Sequence, residues 1–173
     1  KTTNFEILEN LYKKTTAYLS QDPARVKFET TAGVRQGGSE APPLFCLYMD
    51  FVMRQFKAEC QAAGLYGIEL RYRIPNSATN RSERANHSMS GVTNYLWVGF
   101  ADDITLFFNT LDELRQGMVI LCRILKRFGL ILSEQKTETL ILNYSKTSGQ
   151  YPSSLLSIGD HDVKNSESFR YLG

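Results

Sequence analysis

Apolar and polar positions along this chain change period several times, and each change marks an element. In "TNFEILENLYKKTTAYL" (3 to 19), Phe5, Leu8, Leu11 and Tyr12 fall on one stripe, which predicts an amphipathic helix. "RVKFETT" (25 to 31) alternates Val26, Phe28 and Thr30 with charged residues after an Asp22-Pro23 turn, the signature of a half-buried strand. A glycine-rich connection, "AGVRQGGSEAPP", leads into a helix with Ser39 as N-cap and Pro42 and Pro43 in the first turn, where proline is tolerated. The body of that helix, "LFCLYMDFVMRQFKAECQAA", is apolar on most faces in its first half, which should therefore be buried. Phe45, Met49, Met53 and Phe56 read as core, and Gly64 ends the helix.

From Arg71 to Ser90 the periodicity disappears. "RYRIPNSATNRSERANHSMS" carries four arginines against Glu83 and reads as a long exposed loop. The next stretch, "YLWVGFADDITLFF" (95 to 108), predicts a hairpin whose turn is Asp102-Asp103. Thr110 and Glu113 then form a T-x-x-E capping box ahead of a helix. Leu111, Leu114, Met118, Leu121, Leu125 and Phe128 make its apolar face, and Gly129 stops it. "ETLIL" (138 to 142), "SLLSIG" (154 to 159) and "SFRYL" (168 to 172) predict further strands. The class is α+β: an antiparallel sheet carrying the Asp-Asp hairpin, backed by helices 40–63 and 111–128.

Composition adds limits. At 173 residues and 42% hydrophobic, the chain has material for one domain with a core. A net charge of +2, from 20 basic and 18 acidic residues, does not announce a polyanion partner. Cys46, Cys60 and Cys122 are scattered and read as core thiols of a reducing compartment. His87 and His161 are isolated, which leaves little for a zinc site. No apolar stretch approaches the ~18 residues of a membrane span, and no signal peptide opens the chain. The lack of an initial Met and the ending "FRYLG" suggest a piece of a longer polypeptide.

The chemistry centres on two acids between apolar runs. A carboxylate in apolar surroundings is costly unless a cation or several donors meet it. Neighbouring strand residues point to opposite faces, so both acids reach one cleft only where the backbone turns. Hard oxygens of this kind suit Mg²⁺, with Mn²⁺ as a substitute. Two such ions roughly 3.5–4 Å apart activate a hydroxyl and stabilise a leaving pyrophosphate. Aspartates are also ordinary turn residues, so A-D-D alone decides nothing.

Four blocks in order make the chain resemble a reverse transcriptase, most closely the type of non-LTR retrotransposons and group II introns. "FADD" at Phe100–Asp103 is similar to that family's metal-binding turn. "GVRQGG" at Gly33–Gly38, followed by "PPLFCLYMD", resembles its G-x-x-Q-G…P-L-F segment, although Gly38-Ser39-Glu40-Ala41 departs from the usual link. "GLILSEQKT" at Gly129–Thr137 resembles the block after the turn, with Ser133 in the usual asparagine position. "FRYLG" at Phe169–Gly173 resembles the hairpin that supports the primer end.

The resemblance implies the palm of an RNA-directed DNA polymerase that binds RNA template, DNA primer and dNTPs. Asp102 and Asp103 would be catalytic metal ligands, flanked by Phe100 and Ala101 as tight-packing neighbours. Arg35, Gln36 and Gly37 would meet the nucleotide, where N–H groups ahead of a helix seat an anion. Lys136 would face the triphosphate or protonate pyrophosphate. Tyr171, Leu172 and Gly173 would press on the primer. The arginines of the 71–84 loop offer phosphate contacts.

Residues 1–173 then form a partial domain, without fingers, first catalytic strand or thumb. Of the acids before Gly33, Glu6 and Glu9 belong to a helix, Asp22 to a turn, and Glu29 points outward from a strand. None ends an apolar strand as the family's first catalytic aspartate does, so the piece alone is expected to be inactive. The alternatives are a non-catalytic palm-like fragment binding nucleic acid or a protein, and a nucleotide cyclase with a similar palm. A eukaryotic element would work in the nucleus, a bacterial intron enzyme in the cytoplasm.

Overall fold

The computed structural model describes residues 3–13, 15–21, 24–30, 32–72, 91–143 and 151–168. It is a mixed α+β structure whose chain divides into two compact units, Lys1–Phe45 and Cys46–Gly173.

In the first unit, α1 (Asn4–Tyr12) opens with a complete capping box in which Thr3 accepts from the Glu6 N–H and Glu6 accepts from the Thr3 N–H. The helix is shorter than the 3–19 expected from periodicity. Residues Thr15–Gln21 form strand β1 instead, paired antiparallel with β2 (Ala24–Thr30) from Thr15↔Thr30 to Gln21↔Ala24. The β-branched pair Thr15-Thr16 disfavours helix, and the ladder with β2 satisfies a backbone that the helical pattern alone left ambiguous. The Asp22-Pro23 turn lies outside the described residues.

Helix α2 (Ala41–Ala62) carries Pro42 and Pro43 in its first turn as expected. Met49, Val52, Met53, Phe56 and Cys60 are buried along one stripe. Leu47, Tyr48 and Phe51 are exposed, so its first half is not buried all round. Its outer aromatics lean on Phe128: the Tyr48 hydroxyl donates to the Phe128 carbonyl, and the Phe51 ring meets Phe128 edge-on at 5.6 Å. Gly64, at φ +80, ends the helix in a Schellman turn with Leu65 N–H donating to Cys60 O at 2.8 Å.

Helix α3 (Leu111–Arg127) is capped by Thr110, which accepts from the Glu113 N–H at 3.1 Å. The reciprocal arm of the box reaches one residue further back, because Glu113 accepts from the Asn109 N–H at 2.9 Å. Its buried face is rotated from the expected one: Ile120 and Ile124 join Met118, Leu121 and Leu125, while Leu111 is exposed. Gly117 allows a close approach, since a Cβ there would stand 2.2 Å from the Phe108 ring. An Arg123–Glu59 ion pair ties α3 to α2 at the surface.

Pairing is antiparallel in β3 (Ile68–Tyr72) with β4 (Gly91–Tyr95) and in β5 (Trp97–Phe100) with β6 (Asp103–Leu106). Arg71 and Tyr72 thus belong to a strand rather than to the predicted loop, and residues 73–90 lie outside the described part. The last sheet runs β7 (Glu138–Thr139), β9 (His161–Asn165), β8 (Ser154–Ile158), with β7–β9 parallel. The 138–142 strand shrinks to two residues, and β9 was not expected because "HDVKN" offers only Val163 as an apolar position. The 168–172 strand falls almost wholly outside the described residues.

No helix among the described residues is long and apolar enough to cross a membrane. Cys60 is buried and Cys122 half-buried, as expected of core thiols, but Cys46 is exposed. Burial, then the neighbouring Glu59 charge, pushes the Cys60 thiol up to about 11 and keeps it unreactive.

Candidate active site

The hairpin is built by alternation. Its register pairs Trp97↔Leu106, Val98↔Thr105, Gly99↔Ile104 and Phe100↔Asp103. Cross-strand partners share a face, so Trp97, Gly99, Ile104 and Leu106 lie on one side and Val98, Phe100, Asp103 and Thr105 on the other. The first side meets α2: Trp97, Gly99, Ala101 and Ile104 close a cavity of about 230 Å³ with Cys46, Met49, Asp50 and Met53. Gly99 leaves room for the indole, which a Cβ would approach to 3.1 Å. The second side is open, with Phe100 65% exposed beside exposed Asp103.

Two residues, Ala101 and Asp102, turn the chain. Ala101 holds φ +53 and Asp102 does not have positive φ, the sign pattern of a type II′ hairpin. Glycine is the usual first residue of that turn, so alanine carries strain at the place where the acids project. Both carboxylates are exposed, and neither has a hydrogen-bond or ion-pair partner among the described residues. No third His, Cys, Asp or Glu joins them in a metal-binding cluster among those residues. Two open carboxylates still fit Mg²⁺, which takes one or two of them and completes its shell with water and phosphate oxygens.

Lys136 closes a 3-10 turn, Glu134–Lys136, after α3. Its ammonium is exposed and has no ion-pair partner among the described residues. Neighbouring Glu134 is engaged with His161 at 3.4 Å, so the lysine is the open cation of this turn.

In the first unit, Gly33 and Gly37 take φ +92 and +82, backbone that L side chains avoid, and Gln36 is exposed between them. Arg35 is less free than its sequence position implies. It donates to the Leu11 carbonyl at the end of α1 at 2.8 Å and stacks on Tyr12, whose hydroxyl donates to Glu40. Arg35 therefore braces the loop while keeping further N–H groups for an anion.

The hairpin pair and Lys136 belong to one unit, and Arg35, Gln36 and Gly37 to the other. Tyr171, Leu172 and Gly173 lie outside the described residues. Phe100, expected to pack tightly, is an exposed platform instead; counting alternation back from Asp103 across a two-residue turn would have revealed it.

A family model described as reverse transcriptase (RNA-dependent DNA polymerase) matches residues 1–173. No curated protein and no solved structure matches.

Proposed function

This chain belongs to the reverse transcriptase family, and we propose that it forms the palm portion of an RNA-directed DNA polymerase of the non-LTR retrotransposon or group II intron type. The family uses divalent metals such as Mg²⁺ and binds RNA template, DNA primer and dNTPs. The observation that carries the reading is the hairpin: Asp102 and Asp103 are exposed and unpartnered among the described residues, on a ribbon whose other face is packed on α2.

Each side chain then has a task. Asp102 and Asp103 hold divalent cations by their carboxylate oxygens. When bound, those cations favour attack of the primer hydroxyl and departure of pyrophosphate. Phe100, beside Asp103, offers an apolar surface to the primer terminus. The Gly33–Gly37 loop presents backbone N–H groups to the nucleotide, with Gln36 and the spare Arg35 donors beside them. Lys136 delivers a proton or a positive charge to the triphosphate. Tyr171, Leu172 and Gly173 support the primer strand.

With two of the three carboxylates that such polymerases use found together among the described residues, the 173-residue chain alone is proposed to be inactive. Primer extension by that chain with Mg²⁺, dNTPs and an RNA template checks this, and robust synthesis would overturn it. The metal assignment is tested separately by electron paramagnetic resonance titration with Mn²⁺. The wild-type chain should bind the ion, and the Asp102→Ala/Asp103→Ala double variant should lose that binding. Equal Mn²⁺ binding by the two proteins would end the assignment. In any longer active polypeptide containing these residues, Asp102→Ala should lower extension by about 10³-fold, the scale of removing one group that stabilises transition-state charge.

A further inference from the structure

We infer that a second groove, on the α2 side of the catalytic hairpin, binds a segment of single-stranded nucleic acid. Asp50, Arg54, Lys57 and Gln61 recur every three or four residues and so share one face of α2. Opposite them, Thr93, Asn94 and Tyr95 of β4 and then Trp97 complete an open cleft of about 580 Å³. That volume lies within the ~300–1,000 Å³ of pockets for drug-sized ligands, enough for one or two nucleotides.

The lining chemistry selects the ligand. Asp50 accepts the Arg54 Nε–H at 2.7 Å, which fixes the guanidinium and leaves both terminal NH₂ groups to donate. Lys57 is exposed and has no ion-pair partner among the described residues. Asp50, the one carboxylate among the described lining residues, is paired with Arg54. The lining thus keeps a net positive charge from Lys57 and offers the Arg54 NH₂ groups and the Lys57 ammonium to a phosphodiester backbone. Gln61 and Asn94 add donors and acceptors, and the exposed ring of Tyr95 adds an aromatic surface. Cations that track a backbone, interleaved with aromatics, make a surface for single strands, whose bases are free to stack. A duplex keeps its bases inside and gains only the phosphate contacts.

The groove is separate from the catalytic face. Trp97 and Asp50 line both it and the smaller cavity beneath Gly99 and Ala101. It therefore runs to the base of the hairpin on the side opposite Phe100 and Asp103. The groove rests on the polymerase reading only for where the strand comes from, a template or product segment outside the reacting centre.

The test is fluorescence anisotropy with labelled ten-nucleotide oligouridylate and oligothymidylate in EDTA, using the full 173-residue chain. Lys57→Glu should weaken both by about tenfold or more through lost phosphate contact. Tyr95→Ser should weaken both by about tenfold through lost stacking, while Tyr95→Phe retains the affinity. Photocrosslinking with 4-thiouridine should mark Tyr95 or Trp97, and thermal melts confirm that the variants fold. Because binding is read in EDTA, it does not depend on any cation held by Asp102 and Asp103, and the Mn²⁺ titration is read without oligonucleotide, so failure of the groove and failure of the metal reading are seen separately. Absence of binding by the wild-type chain, unchanged affinity in Lys57→Glu and Tyr95→Ser, or displacement of the oligonucleotide by polyglutamate at equal charge would overturn the inference.

Discussion

Glu138 and the pair Asp102-Asp103 belong to the same unit and live in opposite circumstances. Glu138 accepts from the Ser166 hydroxyl at 2.8 Å and from the Lys164 ammonium at 3.3 Å, and these donors, Ser166 foremost, hold its carboxyl below the usual carboxylate range. A polar knot surrounds it. Buried Asn165 donates to the Pro152 carbonyl, and the Tyr151 hydroxyl accepts from the Ile141 N–H while donating to the Ser166 carbonyl. These bonds tie the edges of the three-stranded sheet, whose apolar contribution to the core comes from Ile158 and Val163. Asp102 and Asp103 have no such partner among the described residues. Glu138 is met by donors from the chain, whereas Asp102 and Asp103 keep their lone pairs open to solvent among the described residues.

That division is open to measurement. The largest effect on stability is expected at the knot. Ser166→Ala removes a hydrogen bond to a carboxylate and should lower the urea unfolding midpoint more than the other substitutions named below. Asp103→Ala, at the exposed turn, should stay within about 0.5 kcal/mol of wild type. A reversed order would show that the turn acids, not Glu138, carry the structure.

A smaller effect is expected in acid. Because the folded-state pKa of Glu138 is lowered from 4.5, its stabilisation is complete above that value and is lost as pH falls through the lower folded value. Below pH 4.5, wild type should therefore lose more of its melting temperature than Glu138→Gln does. Parallel acid profiles for the two proteins would remove Glu138 from the account.

The smallest effect is at Ala101. Left-handed backbone costs a non-glycine residue about 1–2 kcal/mol, and glycine's extra unfolded-state freedom returns about 0.5–1 kcal/mol of that. Ala101→Gly should thus gain about 0.5 kcal/mol in thermal or urea unfolding. A loss on that substitution would mean that the methyl group, facing the cavity above Met49 and Met53, matters more than the strain.

Elements with strong local signals were readable without coordinates. The T-x-x-E start and glycine stop of α3 and the two prolines and Gly64 of α2 appear where the pattern placed them. The hairpin also forms, but its turn is Ala101-Asp102 rather than Asp102-Asp103, with Asp103 already in β6. Errors gathered where the local code was neutral. "TTAYLSQ" fits a helical stripe and a strand equally, and its pairing with β2 decided for the strand. "HDVKN" has almost no apolar period, and β9 exists because β7 and β8 supply ladders on either side of it. The first half of α2 looked buried because its composition is apolar all round, yet composition cannot say which side another element will cover.

For the candidate site, residue identity and order sufficed to place the chain in its family and to nominate Asp102, Asp103, Gln36 and Lys136 as candidates, since motif spacing is a property of the linear polymer. Orientation was a different matter. Which face of the ribbon packs on α2, that Phe100 rather than Trp97 accompanies Asp103 into solvent, that Arg35 is tied to the Leu11 carbonyl, and that Arg54 and Lys57 line a cleft with Tyr95 all depend on contacts between residues far apart in the chain. Such contacts arise from packing and register, in which shifting a strand by one residue reverses every side chain, and no window of local sequence holds that information.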